Sequence, residues 1–317
     1  MILSITLIIV GFVALIYGAN WLVNGASSLA KKYNVSDLVI GLTIVAFGTS
    51  APELVVNSVA SYDGLPDIVL GNIIGSNNFN LFIILGIAAL VYPIAVQRST
   101  IKGEIPISLF VAIAFLLLAN NFFMDGNSEI SRWDAIIMLG LFGGFLYYIF
   151  RQMKSGEPEE VSYMPKSNSM ITALILFGFV GLIVGGTLVV DNAISVATDL
   201  GVSQKVIGLT IIAAGTSLPE LVTSVVAAMK KNSDIAIGNV IGSNIFNILL
   251  VIPISSLINP VLFKSTFNQD IYILIGGTIF VLGALILSKH NKISRWHGLL
   301  LLSSYLIYTG YLVWKEV

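Results

Sequence analysis

Cysteine is missing altogether, and charge is scarce: only 10% of the residues are Asp, Glu, Lys or Arg, against roughly 25% in an ordinary soluble domain. Without cysteine there can be no disulfides, no thiol chemistry and no thiolate metal sites, although that absence identifies no compartment. The shortage of charge, with 56% of the 317 residues hydrophobic and a mean hydropathy of +0.93, excludes a soluble globular chain and points to a membrane protein. Long polar connections are also lacking. The only one, RQMKSGEPEEVSYMPKSNS at 151–169, is rich enough in Pro, Gly and Ser to argue against structure, and no soluble domain fits in it. No basic residue precedes the first apolar run and no small-residue cleavage site is evident, so residues 1–24 read as a span and not as a signal peptide.

What is present is a series of apolar runs of about the 20 residues a helix needs to cross the hydrocarbon. Uncharged runs lie at 1–30, 68–97, 105–124, 167–190, 235–263 and 271–288. Two more, 38–62 and 206–229, are broken by one Glu each, and shorter ones fill 135–150 and 296–314. The expectation is an all-α multi-pass membrane protein with ten transmembrane helices. With the N-terminus outside, twelve basic residues fall in inward loops (Lys31, Lys32, Arg98, Lys102, Arg151, Lys154, Lys166, Lys230, Lys231, Lys289, Lys292 and Arg295) and four in outward segments (Arg132, Lys205, Lys264 and Lys315). That bias places both termini outside and the central linker in the cytoplasm of a chain in the cell membrane.

The chain is written twice. Shifted by 167 positions, VIGLTIVAFGTSAPELVVN (39–57) meets VIGLTIIAAGTSLPELVTS (206–224) with 14 of 19 identities, and GNIIGSNNFN (71–80) meets GNVIGSNIFN (238–247) with 8 of 10. ISRW at 130–133 recurs at 293–296. Residues 1–150 and 169–317 are thus expected to be two five-helix repeats joined by a linker at 151–168, and an odd number of spans inserts the second copy upside down, the plan of many secondary transporters. The loop charges agree: Lys31 and Lys32 align with Thr198 and Asp199, and acidic YDGLPD (62–67) aligns with basic MKKNSD (229–234).

The repeated strips carry the chemistry. Pro52 has no N–H and its ring collides with the carbonyl four residues back, so the helix opens around Gly48 to Ser50; Pro219 does the same to Gly215. In lipid, freed carbonyls are tolerated only where protein or a hydrated cavity receives them. Around the breaks lie Thr49, Ser50 and Glu53, and Thr216, Ser217 and Glu220. Ser76 and Asn80 share one helix face at i, i+4, as do Ser243 and Asn247. These are oxygen donors with no His or Cys nearby, a set suited to a hard cation such as Ca²⁺, which takes about six to eight oxygens, and unsuited to Zn²⁺ or Cu⁺.

Structural roles account for other polar positions. A lone intramembrane Glu can be a packing residue, but two at matched positions, each costing about 2.5–3.5 kcal/mol by insertion scales, favour a functional site. The G-x-x-x-G spacings Gly71/Gly75 and Gly238/Gly242 read as close helix packing. Asn77 and Asn244 lie off the Ser/Asn face and read as structural hydrogen-bonding groups. Asp191 reads as an interfacial cap and His297 as a solvated residue at a membrane edge.

The paired strips GTSAPE…GNIIGSNNFN and GTSLPE…GNVIGSNIFN resemble the two alpha-repeats of the calcium/cation antiporter superfamily, most closely its prokaryotic sodium/calcium exchanger branch, over essentially the whole chain. The resemblance implies a core of spans 2, 3, 7 and 8 with long, tilted spans 1 and 6 sliding across it to alternate access. It places ion ligands at Thr49, Ser50, Glu53, Ser76 and Asn80, and at Thr216, Ser217, Glu220, Ser243 and Asn247, with the backbone carbonyls of Ala46 and Ala213. Some members, including the potassium-dependent branch, carry Asp where this chain has Asn247, so the comparison disfavours potassium co-transport.

The function expected is antiport of Ca²⁺ against Na⁺ through one shared mid-membrane site, with no catalytic group and no cofactor. The partners expected are inorganic cations and the lipid bilayer, without nucleic acid or an obligatory protein. Exchange of Ca²⁺ against H⁺, with one or both Glu protonated in place of binding Na⁺, is the alternative. A passive cation channel or a membrane scaffold fits inverted repeats with broken helices less well.

Overall fold

The computed structural model describes residues 2–121, 128–155, 166–200 and 213–316. Backbone that cannot bond to water must satisfy its own N–H and C=O groups, and the apolar runs accordingly fold as helices. In chain order these are α1 (Ile2–Lys32), α2 (Asp37–Thr49), α3 (Ala51–Tyr62), α4 (Pro66–Val91), α5 (Arg98–Ala119), α6 (Arg132–Ser155) and α7 (Asn168–Asp199). A single turn, α8 (Ala213–Gly215), leads to α9 (Leu218–Met229), α10 (Ser233–Ile258), α11 (Ser265–Leu287) and α12 (Arg295–Glu316). Among the described residues seven helices are long and apolar enough to cross a membrane, or eight if α2 and α3 are one span bent by 44°. The run expected at 206–229 begins in 206–212, which lie outside the described residues, and continues as α8 and α9.

Burial separates a core from a rim. In α4 and α10, 78% and 94% of the apolar window is buried, against 22% in α1 and 28% in α7. Polar side chains concentrate where burial is deepest, which is uncommon in a hydrocarbon-facing bundle and marks the core as the place to look for chemistry. Ser36 and Ser167 cap α2 and α7 by accepting from the N–H of Val39 and Met170, and Asn232 caps α10 through Ile235 N–H.

The two longest helices run side by side in opposite directions. At about 1.5 Å per residue, the 31 residues of α1 and 32 of α7 reach roughly 47 Å, more than the hydrocarbon thickness, so they must tilt. Their seam is lined by glycine. A Cβ on Gly185 would lie 2.7 Å from the carbonyl oxygen of Gly11, and one on Gly178 would lie 2.7 Å from Leu22 N, while Gly18 faces Gly178, Gly181 and Leu182. Small residues let the backbones meet.

Two short antiparallel clasps join distant loops: β1 (Ile94–Ala95) with β4 (Lys292–Ile293), and β2 (Glu129–Ile130) with β3 (Val261–Leu262). They tie the connections flanking α5 to those flanking α11.

Several expectations are corrected here. The polar connection was expected to start at Arg151, but α6 continues through Ser155, because Arg, Gln, Met and Lys are good helix formers and the breaker-rich part begins only at Gly156. Residues 156–165 of the expected linker lie outside the described residues. Asp191 is not at a helix end: it is exposed within α7, which runs on to Asp199. His297 is half-buried, not solvated; its Nδ1 accepts from Ser294 N at 3.2 Å and its ring meets Phe280 edge-on. Gly238 and Gly242 do pack closely, against Leu38–Leu42 and Ala46. Gly71 and Gly75 have no such neighbour among the described residues, and the segment at the corresponding place, 205–213, is largely outside them.

Candidate cation site

Both proline-marked breaks are present. Ser50 (φ −84°, ψ 5°) separates α2 from α3, and Ser217 (φ −91°, ψ 7°) separates α8 from α9, with Pro52 and Pro219 each in the first turn of the helix that follows. Glu53 and Glu220 therefore project one turn beyond a bend. A Cβ on Gly48 would fall 1.9 Å from the Phe179 ring, and one on Gly215 2.4 Å from Val190. Glycine at both breaks lets α7 cross directly over them.

The two carboxylates are 0% and 1% exposed and lie within electrostatic range of one another. Each is met by a serine from the other half of the chain. Ser50 Oγ donates to Glu220 Oε1 at 3.0 Å, and Ser217 Oγ lies 3.4 Å from Glu53 Oε1 and 3.1 Å from Ser76 Oγ. Thr216 sits beside Glu53, and Thr49 and Ser243 sit beside Glu220. Glu53 Oε2, Glu220 Oε2, Asn80 Oδ1, Asn247 Oδ1 and Ser243 Oγ are buried without a hydrogen-bond partner. Buried polar atoms are rarely left so; these five are all oxygens, and they include one from each of the two carboxylates. That fits a set of ligands for a hard cation.

Asn80 and Asn247 are placed by a further device. Leu85 N–H bonds to Asn80 O and Ile252 N–H to Asn247 O, five residues back in each case. Such wide π-type turns often occur at functional sites. Behind them, Asn77 and Asn244 donate Nδ2 to each other's main-chain carbonyl at 3.2 Å, while Asn80 Nδ2 donates to Asn244 Oδ1 and Asn247 Nδ2 to Asn77 Oδ1. Both Nδ2 donors are thus engaged behind the site, and both Oδ1 atoms are left over.

The structure brings Thr49, Ser50, Glu53, Ser76, Thr216, Ser217, Glu220 and Ser243 into one neighbourhood; Asn80 and Asn247, one turn along the helices that carry Ser76 and Ser243, bond instead to Asn244 and Asn77. Of the expected carbonyls, Ala46 O already accepts from Ser50 N–H at 3.0 Å and keeps a second lone pair; Ala213 belongs to α8. Asn72 and Asn239 were not anticipated. They contact Thr216 and Thr49, and lie one turn before Ser76 and Ser243 on the same face, so an i−4 extension of the Ser/Asn stripe finds them. A buried carboxylate outside the site, Glu104, was also missed. It is 0% exposed and accepts from Tyr148 Oη at 2.8 Å and from Gln152 Nε2.

The family described as Sodium/calcium exchanger protein matches residues 3–151 and 170–314. The sodium/calcium exchanger MaX1 of Methanosarcina acetivorans is 31% identical over 343 residues, covering 95% of this chain and 96% of its own. The inner membrane protein YrbG of Escherichia coli is 34% identical over 325 residues, 99% and 98% of the two chains. Among solved structures, that of the sodium-calcium exchanger NCX_Mj soaked with zero Na⁺ and Ca²⁺ superposes with a TM-score of 0.84 at 34% identity, over 98% of this chain and 99% of that one.

Proposed function

Because the chain belongs to the sodium/calcium exchanger protein family, we propose that it is a secondary antiporter exchanging Ca²⁺ for Na⁺ by alternating access at one shared site. The observation that carries this reading is the crossed pair of contacts, Ser50 to Glu220 and Ser217 to Glu53, around a group of buried oxygens that lack partners.

In this reading the ligands of the transported ions are Thr49, Ser50, Glu53, Ser76, Asn80, Thr216, Ser217, Glu220, Ser243 and Asn247, with the carbonyls of Ala46 and Ala213. Glu53 and Glu220 bridge a Ca²⁺ centrally. When Na⁺ enters, the same carboxylates and hydroxyls are divided among the sodium ions, and competition for one set of oxygens couples the two fluxes. An unloaded site leaves two carboxylates uncompensated in a medium of low dielectric, which disfavours crossing empty.

The contacts repeat at a spacing of 167: Ser50/Ser217, Glu53/Glu220, Asn77/Asn244 and Asn80/Asn247 occupy equivalent places. This supports ten spans arranged as two inverted five-helix repeats, the first ending with α6 at Ser155 and the second starting with α7 at Asn168. The distribution of basic residues supports termini outside and a cytoplasmic linker; the β1–β4 clasp is then internal and the β2–β3 clasp external.

The test is uptake of labelled calcium into proteoliposomes driven by an outward sodium gradient at clamped pH. Sodium-dependent uptake abolished by Glu53→Gln is expected. Uptake that ignores the sodium gradient and follows an imposed proton gradient would replace Na⁺ by H⁺ as the counter-ion.

A further inference from the structure

A hydroxyl that ligates a cation must present a lone pair to it, and its single proton must go to some other acceptor. Thr49 Oγ1 has three acceptors in range: Asn239 Oδ1 at 3.0 Å, Val45 O at 3.1 Å and Ala46 O at 3.3 Å. The last two are the i−4 and i−3 carbonyls that any helical threonine can reach. Glu220 also lies beside Thr49, but a proton directed there would point at the cation. Asn239 offers the shortest contact, and it comes from the opposite half of the chain.

The orientation of the Asn239 amide follows from its surroundings. Its Nδ2 lies 2.9 Å from Ser224 Oγ and 3.3 Å from the main-chain oxygen of Glu220. Flipping the amide would set its oxygen against that carbonyl oxygen and leave the latter without its donor, so Oδ1 faces Thr49 as an acceptor. The side chain is 0% exposed. The same contact recurs on the other side, where Thr216 Oγ1 donates to Asn72 Oδ1 at 3.1 Å. There the fixing is lighter. Asn57 stands where Ser224 stands in the second half; its Nδ2 donates to Glu53 O at 2.7 Å, while its Oδ1 and the Asn72 Nδ2 have no hydrogen-bond partner.

We propose that Asn239 and Asn72 are positioning residues that take the hydroxyl protons of Thr49 and Thr216, so that each threonine turns a lone pair toward the transported cation. The proposal rests on the shared-site reading above. Each threonine is thereby aimed by an amide of the other half, one helical turn before that half's Ser/Asn ligand pair.

The test is a pair of double-mutant cycles read by calcium titration calorimetry on the full-length protein in sodium-free nanodiscs. One combines Thr49→Val with Asn239→Ala, the other Thr216→Val with Asn72→Ala. Loss of a hydrogen bond that organises a charged site weakens calcium binding by about tenfold, and each single variant is expected to show this. Each double variant should bind no more weakly than its Thr→Val parent, since the asparagine has nothing left to aim. Effects that multiply to about a hundredfold, or Thr→Val variants that bind normally, overturn the proposal. Glu53→Gln is titrated alongside: if it abolishes binding while the cycles multiply, only the positioning role falls, and if it binds normally, the shared site falls too. Should Asn239→Ala fail to fold, the Asn72 cycle, in which fewer bonds are removed, decides the outcome.

Discussion

Neutralising either buried carboxylate should weaken calcium binding to nearly the same extent. Glu53 and Glu220 are 0% and 1% exposed, each has one serine contact on Oε1, and each has an Oε2 without a partner. Two carboxylates balance one Ca²⁺. Glu→Gln at either place leaves one positive charge uncompensated and turns an amide donor toward the cation. Breaking a buried ion pair from one side costs about 3–5 kcal/mol, which corresponds to a roughly two-hundred-fold to several-thousand-fold higher dissociation constant. Calorimetric titration of Glu53→Gln and Glu220→Gln in nanodiscs without sodium measures this, with thermal unfolding as a check on folding. A loss below tenfold for either variant, or a large loss for one and none for the other, would refute the two-carboxylate cage.

Two other substitutions probe the scaffold. Gly185→Leu forces a side chain into the α1–α7 seam, where its Cβ would lie 2.7 Å from Gly11 O and 2.8 Å from Leu15 N; overpacking of about 1–3 kcal/mol should lower the melting temperature in detergent, and an unchanged melting curve would argue against the close crossing. Tyr148→Phe removes one of two donors to the buried Glu104 at a cost of about 1.5–3 kcal/mol; the protein should melt earlier while its calcium half-saturation stays at the wild-type value, and a changed half-saturation would show that Glu104 communicates with the site.

Much of the candidate site could be read from spacing alone. A proline four residues after a glycine, followed by a glutamate, announces a break and a carboxylate beside it wherever the strip occurs, and Ser76/Asn80 declare a shared face by their interval. What spacing did not contain was the crossing. That Ser50 meets Glu220 and not its neighbour Glu53 depends on how the halves dock, which no local pattern encodes. The wide turns at Asn80 and Asn247 were hidden because the apolar runs around them fit either helical pitch. Asn72 and Asn239 were visible in principle but were passed over as part of a glycine motif. In the fold, Gly11, Gly18 and Gly25 recur every seven residues along α1, a signal of a close helix neighbour that does not say which helix; the glycines of α7 supply the answer only in three dimensions. Glu104 escaped notice because the uncharged run was counted from the residue after it.

The crossed serine–glutamate contacts bear on how such a chain could arise. A single ancestral copy holding only one GTS-x-PE strip would have had the acid without the hydroxyl that meets it, since each half lends its serine to the other. Such a peptide could have met its carboxylate with a serine in the same way only by pairing with a second molecule. Gene duplication and fusion would then have made permanent, within one polypeptide, a partnership that previously depended on two molecules finding each other.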